Sequence, residues 1–340
     1  MYTARPEWQQ QDAIILVWPH SASDWGPQLS AITTTYLQMT HAIAKHQRVL
    51  IIVQDQHHLA SVHRQCQTHQ CQLHNLTYLI VPTNDTWVRD YGPQFISDGC
   101  DSIYLDFDFN AWGNRYAHHH DQAFNTYLWQ QAGLHKPHYK KIAGVYEGGN
   151  LEFDSTGNVL TNLSCAQRNA ECFTKDEDVI AFLKASFNCQ HVLGLHLDPL
   201  AGDDTGGHID TLARFVDDHT IIYAHTSNPQ NPNYAVLQHL QAQLRQLNAP
   251  QAYTLVALPM PDRLIMNSAN QLLPASYVNY VLINNAVLMP QYNDPQDSHA
   301  LAIVQQCYPA REIVPINACE LIQQFGSLHC ATLHLPENTL

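Results

Sequence analysis

"IDTLARFVDDHTIIYAH" (209–225), followed by "YAVLQHLQAQLRQL" (234–247) and "YTLVAL" (253–258), holds the unit from which the fold can be read. The first stretch is two β-branched and aromatic runs broken at Asp217-Asp218, the pattern of a β-hairpin. The second reads as helical and the third as a short apolar strand. Hairpin, helix, strand is therefore the local order.

The same order recurs along the chain. "PQFISDGCDSIYLDFDF" (93–109) turns at Asp98-Gly99, "NLEFDSTGNVLTNL" (150–163) between Asp154 and Asn158, and "YVNYVLINNAVLMPQY" (277–292) at Asn284-Asn285. The second of these is followed by helical "DVIAFLKASF" (178–187) and strand "VLGLHL" (192–197). Four units, at a spacing of roughly 55 to 70 residues, are visible directly. A fifth is assembled if the last run, "LHCATLHL" (328–335), pairs with the first, "AIILVWP" (13–19). Helical "LSAITTTYLQMTHAIAKH" (29–46) and strand "RVLIIV" (48–53) then complete it. Joining the two ends removes the open sheet edge of an array, so the expected fold is a closed five-module α/β propeller rather than a doubly wound sheet. No Gly/Ser/Pro-rich linker divides the chain, and residues 1–340 are read as one domain.

Composition narrows the partners. Sixteen Lys and Arg against thirty Asp and Glu give a formal charge of −14, which disfavours a phosphate backbone or an anionic membrane and suits a small cation. Twenty-two histidines soften that argument at acidic pH. Nine cysteines, an odd number without a repeated CxxC spacing, fit reduced thiols in a cytoplasmic protein better than a disulfide framework. The N-terminal apolar run, Ala13 to Trp18, is short and follows polar residues, so it reads as a strand and not as a signal peptide. No apolar stretch approaches the ~20 residues of a membrane-spanning helix. A homo-oligomer is compatible with all of this.

Unusual residues collect where hairpins begin. "NDTWVRDYGP" (84–93) precedes the first, "EGGN" (147–150) the second and "GDDTGGHID" (202–210) the third, while "GSLHC" (326–330) opens the last. In a ring of equivalent units these positions converge on the axis, bringing one Cys, one His and several carboxylates into one pocket. Singly, each has an ordinary reading. Cys330 could be a small buried hydrophobe, His208 a core histidine, Glu147 a turn residue and Asp90-Arg89 a structural ion pair. Gly148, Gly149, Gly206 and Gly207 could simply permit positive φ. Their joint placement favours chemistry. No phosphate-cradling glycine motif opens a helix. "HHHD" (118–121) lies in a polar helical stretch without a second ligand group, and reads as a solvated face. Neither a metal nor an organic cofactor is expected.

"NDTWVRDYGP", "FNAWG" (109–113), "YEGGN", "GDDTGGHID", "LPASYVNYVLINNAVLMPQYND" (273–294) and "GSLHCAT" closely resemble the bacterial agmatine deiminase and Porphyromonas-type peptidylarginine deiminase family. The resemblance runs from Trp18 to Cys330. It implies the pentein fold of the guanidino-group-modifying enzymes, a pseudo-symmetric five-module α/β propeller with the active site on its axis. It further implies Cys330 as nucleophile, His208 as general acid/base, Asp90 and Asp210 as guanidinium-binding carboxylates, and Glu147 as the partner orienting His208. Where this chain reads "FGSLHC" and "NAWGNRYAHHH", agmatine deiminases carry Gly-rich stretches.

The implied reaction is hydrolytic deimination, of agmatine to N-carbamoylputrescine and ammonia, through an amidino-cysteine intermediate. Trp87 is assigned to wall the aliphatic chain, Asp204 to contact the distal amine, and Arg89 to hold Asp85 or another acid in place. Asp203 and Asp204 beside His208 favour a dication. Partners are a small guanidino cation and water. Peptidylarginine deimination is the alternative, followed by an amidinotransferase and a non-catalytic polyamine-binding propeller. A papain-like hydrolase would place Cys before His, the reverse of the order here.

Overall fold

The computed structural model describes residues 2–131, 138–247, 249 and 251–340. It is a mixed α/β fold of five small sheets. The unit read from residues 209–258 forms as expected. Ala213–Asp217 pairs antiparallel with Thr220–His225, the helix Tyr234–Arg245 follows, and Thr254–Pro259 returns parallel to Thr220–His225. A helical return is what a parallel neighbour requires, since a tight turn can make only an antiparallel one.

Three further sheets repeat this plan. Gln94–Ser97 and Ser102–Asp108 are joined in parallel by His138–Val145. Glu152–Phe153 and Asn158–Asn162 are joined by His191–Leu195. Val281–Ile283 and Ala286–Gln291 are joined by Glu312–Asn317. In the fifth, the C-terminal strand Thr332–Pro336 pairs antiparallel with Gln11–Val17, which lies parallel to Arg48–Val53. The expected pairing of the two ends is therefore present. Two strands go beyond the repeat: Thr3–Ala4 on the edge of one sheet and Leu76–Ile80 on the edge of another.

Burial explains the choice of residues. Ala13 to Val17 are wholly buried, which accounts for a strand that is apolar without alternation. In the helix Leu29–Ala44 the buried Ile32, Tyr36, Met39 and Ile43 follow helical spacing and form one inward stripe. One apolar cluster runs from Ala13 to Leu335 and so includes both paired ends. Among the described residues, no helix is long and apolar enough to cross a membrane.

Leu333, 2 % exposed on the C-terminal strand, packs where a Cβ on Gly92 would stand. Leu333→Ala is expected to lower unfolding free energy by about 2–5 kcal/mol, measured as a reduced urea midpoint. An unchanged midpoint would mean that the packing of Leu333 contributes little to stability.

Candidate active site

The site is built from the short segments that lead into the hairpins. Val88–Tyr91 carries Asp90, Gly148–Asn150 follows Glu147, and Ile209–Thr211 follows His208 and carries Asp210. Cys330 sits two residues before Thr332–Pro336, and Asn279 two residues before Val281–Ile283. Each of the five sheets thus contributes to one cluster.

His208 is fully buried between two carboxylates, with Nε2 3.2 Å from Glu147 Oε2 and Nδ1 3.4 Å from Asp90 Oδ1. Burial alone would lower its pKa, but Asp90, Glu147 and Asp210 outweigh burial and raise it to about 10. The imidazole is therefore a cation at neutral pH. Burial pushes Asp90 up to about 6, with His208 pulling it back and Asp210 and Glu147 adding to the rise. Asp90 Oδ1 accepts from the Gly149 N–H at 2.9 Å and Oδ2 from Trp112 Nε1 at 3.1 Å. Glu147 Oε2 also accepts from Asn169 Nδ2 at 2.8 Å.

Cys330 Sγ lies 3.7 Å from Asp210 Oδ2. The Asn279 amide brackets it, with Nδ2 at 3.3 Å and Oδ1 at 3.5 Å. Burial, then Asp210 and Asp90, push the thiol well above its ordinary pKa. That shift favours the neutral thiol over the thiolate. Asp210 is displaced the other way: burial would raise it, but His329 and His208 hold it below the usual range.

Above Cys330 opens a cavity of about 180 Å³ whose walls include Asp90, Trp87, Trp112, Tyr116, Phe325 and Gly326. Asp24, Asp85 and Asp204 also line it, and no Lys or Arg does so among the described residues. Burial pushes Asp85 up to about 7, with Asp24, Asp204 and Asp90 contributing, and pushes Asp204 up to about 6, with Asp203 contributing. Tyr116 donates to Asp204 Oδ2 at 3.0 Å.

Ala111, Trp112, Gly113 and Asn114 are all left-handed, with φ of 49°, 54°, 88° and 64°. Such a turn costs about 1–2 kcal/mol per non-Gly residue. Asn110 secures it by accepting from the Gly113 N–H at 3.0 Å and donating to Asn169 O at 2.7 Å. The strained turn is what aims the Trp112 N–H at Asp90.

The structure brings Asp90, Glu147, His208, Asp210, Cys330, Trp87 and Asp204 together, and corrects several details. Asp203 does not face the pocket: its carboxylate accepts from Thr205 Oγ1 at 2.8 Å and the Gly207 N–H at 2.7 Å. Arg89 does hold an acid in place, and that acid is Glu7, at 2.9 Å, rather than Asp85. Gly206 and Gly207 do have positive φ, but Gly148 and Gly149 do not. Those two are needed for close approach: a Cβ on Gly149 would stand 2.5 Å from His208 Nδ1 and 2.6 Å from Asp90 Oδ1. "HHHD" is not wholly a solvated face either, because Asp121 is buried and accepts from the Asn84 N–H at 2.7 Å, bracing the turn that leads to Asp90.

Glu147, Cys165 and His208 bring possible ligand atoms within 4.8 Å of one another. The Asn169 amide already fills that space, donating to Glu147 and to Thr205 O at 2.7 Å and lying 3.7 Å from Cys165 Sγ. The donor set is thus occupied from within and is a poor fit for a metal. Sequence reading missed Asn279, Asp24, Trp112, Tyr116 and His329 as site residues. Trp112, Tyr116 and His329 lay inside stretches already quoted, and Asn279 ahead of the one hairpin to which no chemistry had been assigned, while Asp24 left no signal.

Comparison with known proteins agrees with this geometry. The model of the family described as Porphyromonas-type peptidyl-arginine deiminase matches residues 3–336. A solved structure of a C. jejuni agmatine deiminase, a cysteine-to-serine variant with substrate bound, is 31% identical, with a TM-score of 0.89 over 98% of this chain and 96% of that one. A Porphyromonas gingivalis structure is 36% identical, with a TM-score of 0.89 over 99% of both chains. The agmatine deiminase of Pseudomonas fluorescens (strain SBW25) is 26% identical over 97% of this chain and 94% of its own length. Fold and site together define a hydrolase that acts on C–N bonds, an iminohydrolase. The chain belongs to the Porphyromonas-type peptidyl-arginine deiminase family.

Gly149→Ala is expected to force His208 and Asp90 apart and to lower kcat/KM by about 100-fold or more in steady-state assays. Activity close to wild type would show that the close approach of these groups is dispensable.

Proposed function

We propose that the protein hydrolyses agmatine to N-carbamoylputrescine and ammonia through a covalent amidino intermediate on Cys330. The observation that carries this reading is the pocket's charge pattern. Asp210 lies beside the Cys330 thiol, Asp90 bridges from the cavity wall to the buried His208, further carboxylates line the same cavity, and no Lys or Arg does so among the described residues.

A guanidinium is a planar cation whose N–H groups match paired carboxylate acceptors. Asp90 and Asp210 receive it, placing its central carbon over Sγ. The arriving charge offsets the two carboxylates that hold the thiol neutral, so Cys330 loses its proton to solvent as substrate binds, His208 being already protonated. The thiolate forms a C–S bond, giving a tetrahedral adduct. His208, already protonated, delivers its proton to one nitrogen, the C–N bond breaks and ammonia departs. Glu147 keeps the ring in place. Water then adds to the amidino-thioether carbon while His208 takes its proton. The C–S bond breaks, restoring the thiolate and releasing the ureido product. Trp87 walls the aliphatic chain, and Asp204, with Asp85 and Asp24, receives the distal ammonium. The same acids would repel the carboxylate of free arginine.

We also read the five sheets as modules of one closed propeller, in a single catalytic domain with this site on its axis. Pairing of the chain ends and the meeting of five corresponding positions support that reading.

Agmatine is expected to exceed free arginine and blocked arginine peptides in kcat/KM. Because Asp85, Asp90 and Asp204 have raised pKa values, they are anionic only above them. The KM for agmatine is therefore expected to rise as pH falls through about 7 to 6. Faster turnover of arginine, or of a peptide, would reject the agmatine assignment.

Acid-quenched turnover mapped by mass spectrometry is expected to place an amidino group on Cys330 and on none of the other cysteines. Slower hydrolysis in His208 variants should increase its yield. An adduct elsewhere, or normal turnover by Cys330→Ala, would show that the nucleophile is another group.

A further inference from the structure

Next to Asp210 lies a buried charge network that the reaction does not use directly. His329, the residue before Cys330, points Nδ1 at Asp210 Oδ2 and Nε2 at Glu7 Oε1, both at 2.8 Å. Glu7 comes from the N-terminal segment, between the strands Thr3–Ala4 and Gln11–Val17. Its Oε1 also accepts from Arg89 Nη1 at 2.9 Å, and Oε2 is paired with Arg214. Arg214 donates through Nε to Glu152 at 2.6 Å and stacks on Tyr280, 4.6 Å from the ring centroid.

The network can be solved for its protons. Arg89 Nη2 lies 2.7 Å from His334 Nδ1, and because an arginine can only donate, that nitrogen must accept. His334 Nε2 then donates to Leu282 O at 2.7 Å, so His334 is neutral, although its ring also lies 3.1 Å from Glu7. His329 differs. Carboxylate oxygens face both of its nitrogens, and an ionised carboxylate can only accept, so both nitrogens must carry hydrogen. Three cations (Arg89, Arg214 and His329) then balance three carboxylates (Glu7, Glu152 and Asp210), and Glu7 touches all three cations. Asp210 Oδ2 meets His329 and lies 3.7 Å from Cys330 Sγ, while its buried Oδ1 has no partner among the described residues.

We propose that Glu7 is a positioning residue for the guanidinium-binding carboxylate, holding His329 as an imidazolium behind Asp210 so that Asp210 stays ionised with one oxygen free for substrate. Glu7 touches neither substrate nor Cys330 and acts only through His329. The inference rests on the deimination reading for the role of Asp210, but the protonation of His329 stands apart from any substrate.

Three measurements test it. Neutron diffraction of the deuterium-exchanged wild-type protein is expected to show deuterium on both ring nitrogens of His329. A single deuteron there would overturn the proposal, whether or not any variant folds. In the Cys330→Ala background, adding Glu7→Gln is expected to weaken agmatine binding by about tenfold or more, the effect of losing a charge-assisted contact. With Cys330 intact, Glu7→Gln is expected to raise KM. A purely structural role would instead reduce the active fraction, lowering kcat and leaving KM and the dissociation constant within about twofold of the parent, and that outcome would also reject the proposal. If wild type turned over no guanidino compound, the deimination reading would fail, while the neutron result would still decide the state of His329.

Discussion

A protonated imidazole sealed from water depends on the carboxylates around it. His208 is fully buried, and desolvation by itself would strip its proton. Asp90 at 3.4 Å and Glu147 at 3.2 Å reverse that outcome, because opposite charges attract strongly where water cannot screen them. The converse also holds, since Asp90 would be hard to ionise at that depth without the imidazolium beside it. Neither half of this arrangement is stable without the other, so the chain must deliver all three groups to within ångströms of one another from separate sheets.

The scaffold meets that demand through repetition. In four of the sheets a short segment leads into a hairpin, in the fifth it leads into the strand that pairs the chain ends, and the functional side chain sits on or beside that segment. Glycine is what permits the approach, because a single Cβ at Gly149 would collide with both His208 and Asp90. The left-handed turn at 111–114 is the other concession, in which local strain is accepted so that an indole N–H reaches Asp90. Around Glu7 the same economy of charge recurs, with cations and carboxylates in equal number.

The thiol links this electrostatic design to chemistry. Burial and the carboxylates beside Cys330 disfavour the thiolate, and the same carboxylates suit a cation. In the proposed mechanism a bound cation would reverse that bias and couple the reactivity of Cys330 to substrate binding.

Much of the plan was legible in the residues themselves. Apolar runs, Asp/Asn/Gly turns and the helical stretches between them specify hairpin, helix and strand, because those preferences are local. The positions of Asp90, Glu147, His208 and Cys330 ahead of hairpins followed from the same repetition. What the sequence could not decide was which polar atoms meet. Asp203 and Asp204 are chemically identical neighbours, yet one closes its own loop and the other lines the pocket, and only the path of the backbone separates them. Arg89 pairs with a glutamate eighty-two positions earlier, and Asn279 reaches Cys330 across fifty-one, contacts with no periodicity to betray them. Local residue patterns determined the repeating unit and the chemistry it could carry. Tertiary structure alone decided the partners and charge states, because burial and distance set those, and both exist only once the sheets have come together.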